Sequence, residues 1–479
     1  MTVVEAKAVE TSIAASRLSA MYLRLAKAAL CVGVPLAIAM ASLGVAPKMQ
    51  AAFAIAAFMI LAWMTELMEY ASAGLLGLLL FWFFGIASPE VIFSGFVNDA
   101  AWFYLGAVLI GAMAAKSGLP QRIANFVITR MGATYSRLLL GLLIIDFVLT
   151  IAVPSGAAVL VIMASISLGV MKVFGVEKGS NIGRGLFLVL TYTTGLFNKM
   201  MISGSASIMS LGIIERIGGA QVSWGLWFAA FLPCSILTIV AAWWFTLKVF
   251  PPEADRLEGR AEELKAHFRT AVPWTPLAIK ASVLTGLAFV LWTTDFIHHV
   301  SPSIVAFAFG LFALLPFIDV LDEKDFKQLN LLPFFFVACA LGMGEVLRTT
   351  GGLTVLTQGF VGGLEPLLSD KTIGTTALYW GGFGYHFFTA SELSMLVTSL
   401  PLLIEFARAH GLDPLWLGLL WSFSSGGKLF AYQSGVLVLG YGYGYFRHTD
   451  LIKIGLFLTV VDFLVIWPSV LFYWPLLGL

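Results

Sequence analysis

Charge is scarce in this chain. Asp, Glu, Lys and Arg make up 11% of its 479 residues, against roughly 25% in soluble domains. A net charge of +1 leaves no basic or acidic excess to draw nucleic acid or a charged membrane surface. Cysteine is equally sparse: Cys31, Cys234 and Cys339 sit singly in apolar segments and suggest neither a disulfide framework nor a metal cluster. No His-Glu-x-x-His motif, phosphate loop or convincing Ser/His/Asp set is present, so the sequence offers no catalytic constellation, metal site or cofactor motif. Residues 1–22 carry Glu5, Lys7, Glu10 and Arg17 but no early apolar core with a small-residue cleavage site. They read as an amphipathic cytoplasmic leader rather than a signal peptide.

What the chain has is apolar length. Hydrophobic residues reach 59% and the mean hydropathy is +0.93, which predicts a polytopic helical membrane protein. Apolar runs near 25–44, 49–65, 71–88, 100–116, 185–212, 223–250, 276–297, 302–318, 331–348, 414–440 and 452–477 predict about eleven spans. Two further regions, about 136–172 and 373–408, are apolar but interrupted by polar and small residues, and read as re-entrant hairpins. Basic residues cluster at Lys116–Arg137, at Arg256–Lys280 and at Arg447–Lys453. All three clusters fall on one side if the N-terminus is cytoplasmic, which places the C-terminus outside. The expected location is a cell membrane, in particular a bacterial inner membrane.

Two of these segments spell the same text. Thr193-Thr194-Gly195 followed by Ser203-Gly204 returns 231 residues later as Ser424-Ser425-Gly426 followed by Ser434-Gly435, and one lysine, Lys199 or Lys428, lies inside each copy. Small, polar and cationic residues at bilayer depth are costly unless they line a cavity or pair with each other. The repetition extends further. Trp63-Met64-Thr65-Glu66 recurs as Trp292-Thr293-Thr294-Asp295, Gly118-Leu119 as Gly352-Leu353, and the interruption at Val153–Ala157 as Phe388–Glu392. The predicted organisation is residues 1–48 as leader and first span, 49–250 as one repeat, 251–275 as a cytoplasmic linker and 276–479 as a second repeat. Five spans and one hairpin in each copy force the second copy to run in the opposite sense. Such inverted repeats place a binding site where the copies meet.

At these residues the chain resembles the divalent anion/sodium symporter family, the dicarboxylate, citrate and sulfate carriers. Trp63-Met64-Thr65-Glu66 is similar to that family's Trp-x-Thr-Glu segment, and Gly111–Ala124 to its fourth span and amphipathic helix. Ala431–Gly442, followed by Asp450-Leu451-Ile452-Lys453-Ile454-Gly455, resembles its unwound loop and the Asp-x-x-Lys-x-Gly that follows. The resemblance implies an elevator-type carrier, in which a two-hairpin transport domain moves against a scaffold that also forms a homodimer. It also shows departures. The family's Ser-Asn-Thr hairpin triplets, which help bind carboxylates and sodium, are replaced here by Pro154-Ser155-Gly156-Ala157 and Thr389-Ala390-Ser391-Glu392. Its Thr-Pro-Pro-Asn loops become Ser203–Ser207 and Tyr432–Gly435.

The candidate substrate-binding residues are therefore Ser155, Gly156, Thr194, Asn198, Lys199, Ser203, Ser205, Thr389, Ser391, Ser425, Lys428, Gln433 and Ser434. Broken helices free backbone N–H groups that can face an anion, glycine permits the turn, and hydroxyls supply adaptable hydrogen bonds. The plainer reading of the Gly/Ser text is close helix packing. Lys199, Lys428 and Glu392 are the coupling candidates. The ammonium groups would replace a bound sodium or hold the anion. Glu392 would pair with Lys428, serve a proton step, or merely sit solvated at the hairpin mouth. Glu66 and Asp295 read as helix-end caps or interfacial anchors rather than substrate ligands, and Asp146 has no partner that the sequence identifies. The resulting expectation is a secondary active transporter of small anions (di- or tricarboxylates or related species) rather than an enzyme. The choice of Na+ or H+ coupling, or of neither, stays open. A sodium-coupled symporter of the same fold and an anion channel are the alternatives.

Overall fold

A chain that crosses lipid must satisfy its backbone polar groups internally, and a helix does so within one segment. The computed structural model is built of helices throughout the described residues, 3–131, 134–153, 155–253, 273–360, 362–389 and 391–479. Pro154 and Ala390, one residue of each expected hairpin tip, and 254–272, most of the expected linker, lie outside them.

After α1 (Val3–Met40) come α2 (Pro47–Thr65), α3 (Tyr70–Phe83), α4 (Asp99–Lys116), α5 (Leu119–Met131), α6 (Tyr135–Ala152), α7 (Gly156–Phe174), α8 (Asn181–Met200), α9 (Ser205–Ile213) and α10 (Trp224–Val249). The second half repeats the order: α11 (Pro276–Thr293), α12 (Pro302–Phe312), α13 (Leu332–Thr349), α14 (Gly352–Phe360), α15 (Lys371–Tyr385), α16 (Glu392–Ala409), α17 (Pro414–Ser424), α18 (Gly435–Gly442) and α19 (His448–Pro468). Element for element, α2 answers α11 and α10 answers α19. The short motifs carry matching duties. Trp63 Nε1 donates to the carbonyl of Tyr70, the first residue of α3, and Trp292 Nε1 donates to that of Pro302, the first residue of α12, both at 3.0 Å.

Eight helices among the described residues are long and apolar enough to cross a membrane. The eleven expected spans are thus not eleven unbroken helices. The run at 414–440 is cut into α17 and α18, while α3 and α12 are shorter apolar helices. The chain bends by 59° between α4 and α5, where Gly118 takes a left-handed backbone (φ 69°) that favours glycine.

The helices form two bodies, each knitted from both repeats. In the first, α4 packs on α12 and, symmetrically, α13 packs on α3. Small residues make these approaches close. A methyl group on Gly106 would stand inside the backbone of Ala306 and Phe307, and one on Gly310 would stand 2.8 Å from Leu109 Cβ. In the second body, α8 packs on α18 and α9 on α17, while α9 packs on α16 and α7 on α18. Here α10 runs against α19, joined by Thr238 Oγ1 donating to Asp462 at 2.8 Å. An ion pair between Arg184 and Asp450 (2.8 Å) ties the start of α8 to that of α19. The fold is an all-α polytopic membrane architecture of two inverted repeats, with a scaffold body and a hairpin-bearing body.

Gly106→Ala should lower the thermal midpoint of the purified protein, because the backbone of α4 must move off α12 at a cost of about 1–3 kcal/mol. Gly286→Ala, where a methyl group meets nothing within 4 Å, should leave it unchanged. Equal midpoints for the two variants would refute the close packing of this seam.

Candidate functional site

Four helices begin at one place. Ser155 is the N-cap of α7, its Oγ accepting from Ala158 N at 3.3 Å, and Ser391 is the N-cap of α16, accepting from Ser394 N at 3.1 Å. Both serines stand at the expected hairpin tips. Gly204 and Ser434 precede α9 and α18 as extended residues after the breaks in the two unwound segments. Gly204 is required there, since a side chain would overlap the Asn198 carbonyl. Each start exposes backbone N–H groups that its own helix does not use, with the positive end of the helix dipole behind them.

All four starts line one cavity of about 410 Å³. From the hairpin-bearing body come Ser155, Gly156, Asn198, Ser205, Ser391, Glu392 and Ser434; Gly195 and Tyr432 join them. From the scaffold come Glu66, Tyr70, Tyr104 and Asn330. The cavity therefore lies between the two bodies. Glu66 does end α2, in a left-handed conformation (φ 51°), and accepts from the Tyr70 hydroxyl at 2.8 Å. It also faces the cavity, which the capping reading from sequence missed. Asp295 is a cap in the expected sense, accepting from Ser223 Oγ at 3.0 Å and Trp224 N at 2.6 Å.

The remaining candidates stand behind this wall. Thr194 and its neighbour Thr193 donate to Asp146, each at 2.7 Å, which supplies that buried carboxyl with partners. Ser425 bonds back to the Ser422 carbonyl at 2.6 Å, and Thr389 is buried beneath its tip. Ser203 is buried in the first loop, its hydroxyl unpaired among the described residues. Gln433 is a clamp. Its Oε1 accepts from Leu429 N and Phe430 N at 2.7 and 2.9 Å, while its Nε2 donates to the His386 carbonyl at 3.2 Å. It thus holds the second loop in shape against the second hairpin.

Lys199 and Lys428 converge on Glu392. Lys199 Nζ stands 3.3 Å from Glu392 Oε2, and Lys428 Nζ pairs with Glu392 Oε1. The two ammonium side chains are 3% and 2% exposed, and the carboxylate 13%. Glu392 therefore faces the cavity with the lysines at its back. The shared glycines lie beside the lysines. A methyl group on Gly195 would stand 3.4 Å from Lys428 Nζ, and one on Gly426 would stand 4.0 Å from Lys199 Cδ. Each repeat's glycine borders the lysine of the other. Two ammoniums and one carboxylate leave one formal positive charge, buried beside four helix starts.

A family model, the sodium:sulfate symporter transmembrane region, matches residues 21–479. The chain belongs to this family. A membrane protein of Cupriavidus necator is 25% identical over 90% of this chain and 88% of its own length. The citrate/succinate antiporter of Escherichia coli K12 is 25% identical, covering 81% of this chain and 80% of its own. An L-tartrate/succinate antiporter of Escherichia coli UTI89 is 24% identical over 80% of each. The solved Alcanivorax borkumensis YdaH transporter superposes with a TM-score of 0.57 at 15% identity, covering 80% of this chain and 87% of that one. That likeness concerns the fold.

Within this family member the Lys–Glu–Lys cluster makes a stability prediction. Glu392→Gln strands two buried ammonium groups and should cost about 3–5 kcal/mol. Lys428→Met leaves the Lys199–Glu392 pair intact and should cost less. A thermal-shift series in which Glu392→Gln is the milder change would show that the three groups do not share one buried cluster.

Proposed function

We propose that this protein is a secondary active transporter of small carboxylate anions, of the di- or tricarboxylate type or related to it, working by alternating access and without sodium. The observation that carries this reading is the cavity between two bodies, ringed by four helix starts and backed by a cluster of one net positive charge. Helix N-termini favour anions, and a wall drawn from both bodies lets one body carry the site past the other. Lys199 and Lys428 supply fixed positive charge at the unwound loops, where the resemblance leads one to expect bound cations. A fixed charge returns with the carrier whether or not sodium is present. This favours exchange of one anion for another, the activity named for the two Escherichia coli relatives. The protein is on this reading not an enzyme. It sits multi-pass in a cell membrane, a bacterial inner membrane in particular, with its N-terminus cytoplasmic. Its scaffold serves as the surface of a homodimer.

Counterflow of a radiolabelled dicarboxylate into proteoliposomes should be saturable, should depend on anion inside, and should persist when sodium is fully replaced by choline. A steep sodium dependence, with Lys199→Ala and Lys428→Ala both harmless, would overturn the lysine-for-cation assignment. Currents insensitive to anion on the far side would instead mark a channel.

A further inference from the structure

The wall of the cavity carries two acidic side chains, Glu66 and Glu392, and no basic one among the described lining residues. The lysines that make the region positive stand behind Glu392 and do not reach its surface. An anion entering the cavity thus meets donors at the helix starts and a carboxylate at the second hairpin tip. An ionised carboxylate only accepts hydrogen bonds and has about four lone-pair directions. Lys428 pairs with one oxygen and Lys199 stands 3.3 Å from the other, which leaves acceptor directions on the carboxylate for whatever occupies the cavity. The equivalent place at the first tip, directly after the N-cap serine, is Gly156, which adds no acceptor. The two ends of the site therefore ask for different groups.

We propose that Glu392 is a specificity residue that accepts a hydrogen bond from a substrate hydroxyl, so that the preferred substrates are hydroxycarboxylates rather than plain dicarboxylates. This rests on the carboxylate-carrier reading above. The substrate's ionised carboxylate lies at the helix starts and its hydroxyl points to Glu392. A second carboxylate in that position would face Glu392 with no proton between them, and like charges set together are strongly disfavoured. A substrate ammonium group could also donate, but it would enter the field of two lysines already gathered on the same carboxylate. The hydroxyl carries no such penalty. A site that hydrogen-bonds a hydroxyl rejects the analogue lacking it, because its own acceptor is left unpaired.

Malate and succinate differ by one hydroxyl and provide the test. In proteoliposome counterflow, with each malate enantiomer and succinate compared at one pH, at least one malate should compete about tenfold better than succinate, the scale expected of a hydrogen bond to a charged group. Glu392→Asp should keep this order. Glu392→Gln should bring the two anions to near parity. If Glu392→Gln fails to fold, the wild-type comparison decides alone: succinate equal to or better than both malates overturns the assignment. Parity or reversal in the wild type with brisk exchange removes only the role of Glu392. Failure of wild-type protein to exchange any of these anions overturns both it and the carboxylate-carrier reading.

Discussion

Two buried ammonium groups gathered on one carboxylate at the cavity wall set the terms for everything around them. Burying any of the three alone would cost several kcal/mol, so Lys199, Lys428 and Glu392 must arrive together. They come from three separate elements: the end of α8, the loop after α17 and the first turn of α16. The two unwound loops and the second hairpin are therefore bound to one another by charge as well as by packing. Gln433 and His386 reinforce the same junction, with His386 Nε2 donating to the Gln433 carbonyl at 3.1 Å. Any motion that serves transport must move these elements as a unit, because pulling Glu392 away would strand two cations.

The duplicated text of the sequence becomes a packing rule in this setting. Lys199 reaches its partner Glu392 across the boundary between repeats, whereas Lys428 and Glu392 belong to the same repeat. Gly195 and Gly426 each lie beside the lysine of the other repeat, and the hydroxyl residues before them fold back onto their own helices or onto Asp146. Tyr192 completes the seam, its hydroxyl donating to the Lys428 carbonyl at 3.1 Å. The residues of the Thr/Ser-Gly motif divide between the cavity wall and local packing. Gly195 lines the cavity, while Thr194 and Ser425 stand behind it and serve local structure.

Legibility in the sequence followed cost. Polar and cationic residues inside apolar runs are expensive, so the loops, the hairpin tips and the lysines stood out, and the repeat order followed from their spacing. The scaffold's share of the cavity did not. Glu66, Tyr70, Tyr104 and Asn330 sit where acids, amides and aromatics are ordinary at helix ends and interfaces, so nothing in their pattern separates a lining role from a cap. Asp146 was visible as an unpaired cost, but its partners Thr193 and Thr194 lie a helix away. The pairing of Glu392 with Lys428 is one the sequence suggests, whereas its pairing with Lys199 brings in a third segment that no local pattern supplies. The count of unbroken spans was also beyond hydropathy, which reads a broken helix such as 414–440 as one apolar run.

The repeats agree in backbone and differ in chemistry, and that difference is what makes a site. An inverted duplication by itself yields two equivalent hairpin tips, each with a serine N-cap and free N–H groups, and hence a cavity indifferent to which end of an anion meets which tip. Placing Gly156 at one tip and Glu392 at the other breaks the equivalence without disturbing the helix starts. Two acids would cancel both lysines. Two glycines would leave the two buried ammoniums without the carboxylate they share. One of each keeps a single positive charge on the Lys–Glu–Lys cluster, holds the lysines in place and gives the cavity a distinct donor end and acceptor end. An elevator built from two alike halves can in this way turn outward and inward by symmetry while still recognising a substrate that has none.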